Sequence, residues 1–213
     1  MRMEPYELWE AYPKLYHMAE SGSWPSIQAH GLLSTSALLD LYMISGAERR
    51  ALESERRPES VTISHHEFGT AVIRDQKPIN EKSLRKCLTD MSPREWYELL
   101  NHKVFFWLTE ERLNRLLSAR AYRAKSHAVL TVETRKLVER HERQITLSRI
   151  NSGSVIYGVG QRGRETFKTI GDVNRIGSIA ELAIDYAVDD IADLVLVVEE
   201  RRGSQPPAVL WQH

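Results

Sequence analysis

The sequence predicts an α+β domain whose strands are mostly antiparallel. Helical and extended patterns are mixed along the chain, and the apolar strand-like runs crowd into its second half. With 213 residues, 42% of them hydrophobic and 27% charged, the chain is long enough and apolar enough for one domain with its own core.

Taken in order, residues 4 to 12 (EPYELWEAY) read as a short helix ended by Pro13, and Lys14 to Met18 as a strand. Trp24 to His30 reads as a helix, with Ser23 as N-cap, Pro25 in the first turn and Gly31 as the stop. A further helix is expected around Thr35 to Ser45, with Leu38, Leu39, Leu41 and Tyr42 on its buried face. The block from 46 to 100 is charged and reads as a mainly helical insertion with an exposed turn at Gln76 to Pro78. Its last helix is opened by Ser92-Pro93, with Glu95 completing a capping box. Val104 to Leu108 (VFFWL) is an unbroken apolar run, hence a buried strand, and Thr109 caps the helix that follows. His127 to Glu133 is a strand, 134 to 143 a charged helix or turn, and Ser154 to Gly158 a short strand. The Gly- and Arg-rich stretch from 158 to 178 reads as a long loop. Glu181 to Val188 and Leu194 to Glu200 are a closing pair of strands joined by a turn, and the tail after Arg202 has no clear period. No internal repeat or low-complexity segment is visible.

Lys plus Arg (29) equals Asp plus Glu (29), so the net charge of zero exerts no overall pull toward nucleic acid or an anionic membrane; local basic patches are a separate matter. The single cysteine, Cys87, allows neither an internal disulfide nor a cysteine zinc site and suits a reducing compartment. The first residues lack the apolar run of a signal peptide, and no stretch approaches the roughly 20 apolar residues that span a bilayer. These features suggest a cytoplasmic, soluble protein.

Two motifs carry little weight. Gly158, Gly160 and Gly163 spell GxGxxG, but no helix pattern follows and the position is late in the chain, so a flexible loop is the better reading. His65, His66 and Glu67 could ligate a metal, but adjacent histidines point in different directions and no second ligand cluster lies near; no metal is expected.

Three separated segments say more together. The first is Leu15-Tyr16-His17-Met18, followed by the helix that closes on His30-Gly31-Leu32-Leu33. The second is Val104-Phe105-Phe106-Trp107 leading into the helix capped by Thr109. The third runs from Glu181 to Val198, with Glu181 opening a strand that turns and returns as an apolar strand. This set resembles the His-Tyr-Glu class of ADP-ribosyltransferases, which includes the poly(ADP-ribose) polymerases, the diphtheria-toxin group and bacterial DNA-modifying toxins of the DarT type. The resemblance covers about residues 14 to 200, apart from 46 to 100. It implies a split antiparallel sheet with a cleft for NAD between its halves. It also implies a catalytic role for Glu181, a cofactor-binding role for His17, and a stacking surface on the nicotinamide from Phe105 or Phe106. Since successive strand residues alternate faces, only one of those two can reach the cleft, and Phe105 is favoured. Arg162, Arg164 and Arg175, in the loop before Glu181, would hold phosphates of NAD or of a nucleic-acid target. The implied reaction is transfer of ADP-ribose from NAD to a macromolecular acceptor, protein or nucleic acid. Two alternatives stay open: an NAD-dependent RNA 2′-phosphotransferase, and an inactive transferase fold serving as an interaction module. The chain departs from the class in having Met18 and Ala19 after the histidine, and phenylalanine in place of tyrosine.

Overall fold

The computed structural model describes residues 2–155, 160–203 and 205–213. In chain order the first elements are α1 (Pro5–Ala11), β1 (Lys14–Glu20), α2 (Trp24–His30), β2 (Leu32–Leu33), α3 (Thr35–Leu41) and α4 (Gly46–Glu53). A hairpin of β3 (Val61–His65) and β4 (Gly69–Ile73) follows, then α5 (Glu81–Cys87), α6 (Pro93–Asn101), β5 (Lys103–Trp107) and α7 (Glu110–Leu117). The remainder comprises β6 (Ser126–Glu133), α8 (Thr134–His141), β7 (Ile145–Ser148), β8 (Phe167–Lys168), β9 (Glu181–Asp185), β10 (Ala187–Val188), α9 (Ile191–Leu194), β11 (Val195–Arg202) and β12 (Ala208–Gln212). The class is α+β, and the ladders between these strands are antiparallel.

The main sheet has eight strands in the order β12-β11-β6-β1-β5-β9-β7-β8. Its pairing is uneven. β1 pairs with β6 along its whole length, from Lys14↔Glu133 to Glu20↔His127, and β5 pairs with β9 from Lys103↔Asp185 to Trp107↔Glu181. Between β1 and β5 there is one register pair, Tyr16↔Trp107. The sheet is therefore two four-stranded halves joined at one point, and they diverge from it.

One face of both halves is sealed by the largest core cluster. Leu15 on β1, Val104 and Phe106 on β5, Ala128, Leu130 and Val132 on β6, and Leu182 and Ile184 on β9 pack there with Leu8 of α1, Ile27 of α2 and Leu137 of α8. The strand alternation chooses these residues: every second side chain meets the helices, and burial of large apolar side chains holds the layers together. On the other face α7 packs Leu113 and Leu117 against Met18 and Val129.

The sequence expectations fail in specific places. The 46–100 block contains the β3–β4 hairpin, whose Ile63, Ala71 and Ile73 form a satellite core with Leu39, Tyr42 and Leu52. β7 was not expected at 145–148 nor β12 at 208–212. The strand expected from Ser154 begins in irregular backbone at 154–155, and its remainder lies outside the described residues, as does Gly158 of the GxGxxG motif. Of that motif's other glycines, Gly163 packs so closely on Thr89 and Asp90 that a Cβ would collide with them; its role there is packing. The long strand expected over 181–188 breaks at Tyr186, which holds φ +69°. Tyr186 donates its N–H to His102 O at 2.7 Å and accepts from Ser34 N at 2.9 Å, so β10 leaves the main sheet to pair with β2.

Candidate functional site

Where the halves of the sheet part, a cavity of ≈ 1170 Å³ opens. It is larger than the roughly 300–1,000 Å³ typical of small-ligand pockets. β1, β5 and β9 each contribute one of its walls, through His17, Phe105 and Glu181. Three residues separated by 88 and 76 positions in the chain thus share one space. Seven Lys or Arg and three Asp or Glu line it, in a chain of zero net charge.

His17 occupies the fork itself. β5 lacks a full β1 partner there, and the Phe105 carbonyl takes its hydrogen bond from His17 Nδ1 at 2.8 Å. A carbonyl can only accept, so Nδ1 carries the proton and Nε2 is left as an acceptor. Burial pushes the imidazole pKa down to about 4, and the Arg74 charge adds to the fall against the opposing effect of the Phe105 carbonyl. At neutral pH the ring is uncharged.

Glu181 is the first residue of β9 and only 4% exposed. Its Oε2 accepts from Ser152 N at 3.0 Å and Ser152 Oγ at 2.7 Å. Burial raises its pKa to about 7, while the Ser152 hydrogen bonds and the charges of Arg162 and Arg112 pull downward without cancelling it. A carboxyl so placed exchanges a proton near neutrality, a common property of groups at functional sites.

Phe105 is half-buried, its ring 6.1 Å from that of Phe167. Phe106 lies on the opposite face of β5, 1% exposed in the main core, and is not part of the cavity. Its expected role against a cofactor is corrected by this alternation. The three loop arginines are also elsewhere. Arg162 is 2% exposed and turned inward; its Nη1 donates to Gly160 O at 2.7 Å, and Nη2 to Asn151 O at 3.2 Å and Ser154 O at 2.5 Å. It is committed to backbone carbonyls and staples the 151–154 segment that holds Glu181, so it does not hold a phosphate. Arg164 points outward and pairs with Glu95 at 3.4 Å, and Arg175 is exposed away from the cavity.

Sequence reading missed Ser152 and Arg112. Arg112 lies on the cavity-facing side of α7, two residues past the Glu110 that starts the helix. A signal for it was available: Thr109 Oγ1 accepts from Arg112 N at 3.3 Å, so the cap that predicts the helix also fixes where Arg112 projects. Met18 and Ala19 line the cavity beside His17. The residues from 71 to 78 line it too, so the inserted block forms a wall of the site, and Gln76 to Pro78 face the cavity at intermediate exposure. Among the described residues no group of three His, Cys, Asp or Glu is arranged to hold a metal ion.

The model of a protein family of unknown function, DUF7002, matches residues 13–195. The chain belongs to this family. The match takes in β1 and β6 of one half of the sheet, the whole of the other half and every side chain of the cavity wall named above, and it ends where β11 begins. No curated protein matches the chain.

Proposed function

We propose that this protein is an ADP-ribosyltransferase that consumes NAD and passes ADP-ribose to a macromolecular acceptor, releasing nicotinamide. The observation that carries the reading is that His17, Phe105 and Glu181, from three strands, all line one cavity where the sheet divides. The cation-rich lining suits a dinucleotide with a pyrophosphate, and the volume leaves room for it.

In this reading Phe105 offers a ring face to the nicotinamide, and His17 Nε2 accepts a ribose hydroxyl, fixing the substrate's conformation. When the bond between C1′ and the nicotinamide nitrogen breaks, its electron pair goes to that nitrogen, and positive charge develops at C1′. No acid is needed, because the leaving ring was already cationic. The Glu181 carboxylate stabilises the developing charge. An acceptor N–H or O–H then bonds to C1′, and its proton passes to Glu181, whose pKa near 7 suits a base working at neutral pH.

The test is incubation of the protein and its Glu181→Gln variant with NAD labelled in the adenylate, in cell extract. Label on a macromolecule with wild type, and its loss in the variant, supports the reading. NAD consumption only with 2′-phosphorylated RNA would replace it with the phosphotransferase, and no consumption at all with an interaction module.

A further inference from the structure

We propose that β12 is an interaction surface at which this chain pairs with a second copy of itself. The inference goes beyond the transferase reading and does not rest on it: β11 and β6 separate β12 from β1 and the cavity.

The main sheet has two edges, and they differ in how they are guarded. An edge strand presents unpaired backbone N–H and C=O groups that can template another strand, and proteins blunt such edges with short strands and with charge, lysine above all. β8 has both guards. It is two residues long, Phe167–Lys168, and its Lys168 pairs with Glu165 at 3.5 Å. β12 has neither. It is five residues long, and no Lys, Arg, Asp or Glu occurs from Gly203 to His213, in a chain of which 27% is charged.

The strand also shows apolar side chains to solvent. Five large hydrophobic residues are exposed among the described residues, and two of them, Val209 (60%) and Leu210 (48%), are neighbours on β12. Trp211 instead turns onto the core, its ring 5.3 Å from that of Trp24, and anchors the strand to the sheet. A bulge sets Leu210 apart. Val209 pairs with Glu199 and Trp211 with Val198, which leaves Leu210 without a partner in the β11 ladder. The extra residue bends the strand there, so a long ladder with a foreign strand is disfavoured and the contact centres on Leu210.

Charge and symmetry decide the occupant. A two-fold axis brings the same uncharged segment against itself in the antiparallel sense, so backbone donors meet acceptors and no like charges are opposed. A charged peptide would find no counter-charge between Gly203 and His213. The two-fold contact needs no second surface and closes as a dimer. A five-residue edge is a small interface, in the class below about 1,200 Å² that forms weak, concentration-dependent complexes.

Sedimentation velocity of the full chain from about 1 to 200 μM reads the pairing. A monomer–dimer equilibrium is expected. Leu210→Lys, which sets two ammonium groups against each other across the axis, should weaken it about tenfold or more with an unchanged melting temperature. Cross-linking reads the geometry without depending on that variant. Cys87 is buried and is the chain's single cysteine, so Leu210→Cys carries one accessible thiol. Mild oxidation with diamide, joining two thiols in one disulfide, should trap a covalent dimer of Leu210→Cys. Tyr6→Cys, at a position on α1 that is 49% exposed, should stay monomeric under the same treatment. A chain that is monomeric at the highest concentration, assemblies that grow beyond two copies, a Leu210→Lys variant that dimerises like wild type, or equal cross-linking of the two cysteine variants would each overturn the proposal.

Discussion

Glu181 and His17 pull stability in opposite directions over nearly the same pH range. Burial holds the Glu181 carboxyl at about 7, above its ordinary 4.5, so the folded protein keeps a proton that the unfolded chain releases. Stability from this source is complete below 4.5 and lost as pH rises through 7. Burial holds His17 at about 4, below its ordinary 6.5, so the unfolded chain takes up a proton that the folded one refuses, and stability is lost as pH falls from 6.5 to 4. The expected result is that Glu181→Gln gains stability over wild type progressively between pH 4.5 and 7 and then levels, at about 1–3 kcal/mol. His17→Asn should show its gain over wild type only below pH 6.5. Melting curves of the three proteins across pH 4 to 9 read both differences, and a constant offset for either variant would refute the assignment of that residue. A cleft carboxylate would ordinarily leave folding untouched when amidated; the 4% exposure of Glu181 changes that expectation above pH 5. For NAD turnover, Glu181→Gln should slow the chemical step by about 10²-fold or more with little change in NAD affinity. The neighbouring phenylalanines make a second contrast. Phe106→Ala should destabilise the fold by about 3–5 kcal/mol. Phe105→Ala, at a half-buried position, should cost clearly less stability and weaken NAD binding more, measured by melting and by calorimetry.

Segments whose information is local were readable, and those defined by distant partners were not. Trp24–His30 is the helix expected, because its Pro25 start and Gly31 stop are written in seven residues. At Gly31 the reason is doubled: φ is +87°, and a Cβ there would lie 2.8 Å from Asp189 Cα, where β10 comes back to pair with β2. Gly31→Ala should therefore cost more than the ~1 kcal/mol of a backbone effect alone, seen as a lowered denaturation midpoint. β1, β5, β6 and β11 were legible from apolar runs long enough to fix a face. β7 was not: four residues, Ile145–Ser148, become a strand only because β9 and β8 lie on either side. The hairpin β3–β4 hides in a charged block, although Val61 and Ile63 do alternate with polar residues. Arg162 was the least legible, since an arginine in a Gly-rich loop before Glu181 reads as a phosphate ligand. Its burial depends on carbonyls of Asn151, Ser154 and Gly160 converging on it, which no local pattern encodes. Arg162→Met strands those carbonyls, and by the cost of breaking a buried charged network should destabilise the protein by roughly 3 kcal/mol. It should also loosen the 151–154 segment, raising its hydrogen exchange ahead of the strands; equal exchange there in the variant would remove Arg162 from the support of Glu181.

At the scale of the whole molecule, the divided sheet makes one structure of two half-sheets. The outer four strands on one side are tied by long ladders among β12, β11, β6 and β1, and the other four by ladders among β5, β9, β7 and β8. Across the division stand one register pair, the His17–Phe105 hydrogen bond and the shared apolar layer beneath. Cooperative units of a protein follow its contact density, so the backbone groups beside the fork should exchange faster than those in either half. A dinucleotide bound as proposed would touch β1 on one side and β5 and β9 on the other, and would need both in place. Its free energy is added to the folded state as RT ln(1 + [L]/Kd) and therefore to the junction. Hydrogen exchange with and without a hydrolysis-resistant NAD analogue should show amides of β1, β5 and β9 near the fork protected together, with β12 and β8 at the sheet edges changing little. In His17→Ala the same ligand should protect β5 and β9 but leave β1 close to its unliganded rate, because the side chain that carries the contact across the division is gone. Protection confined to one half in the wild-type protein would mean that the ligand does not bridge the fork, and the cleft would have to be assigned to something smaller than a dinucleotide.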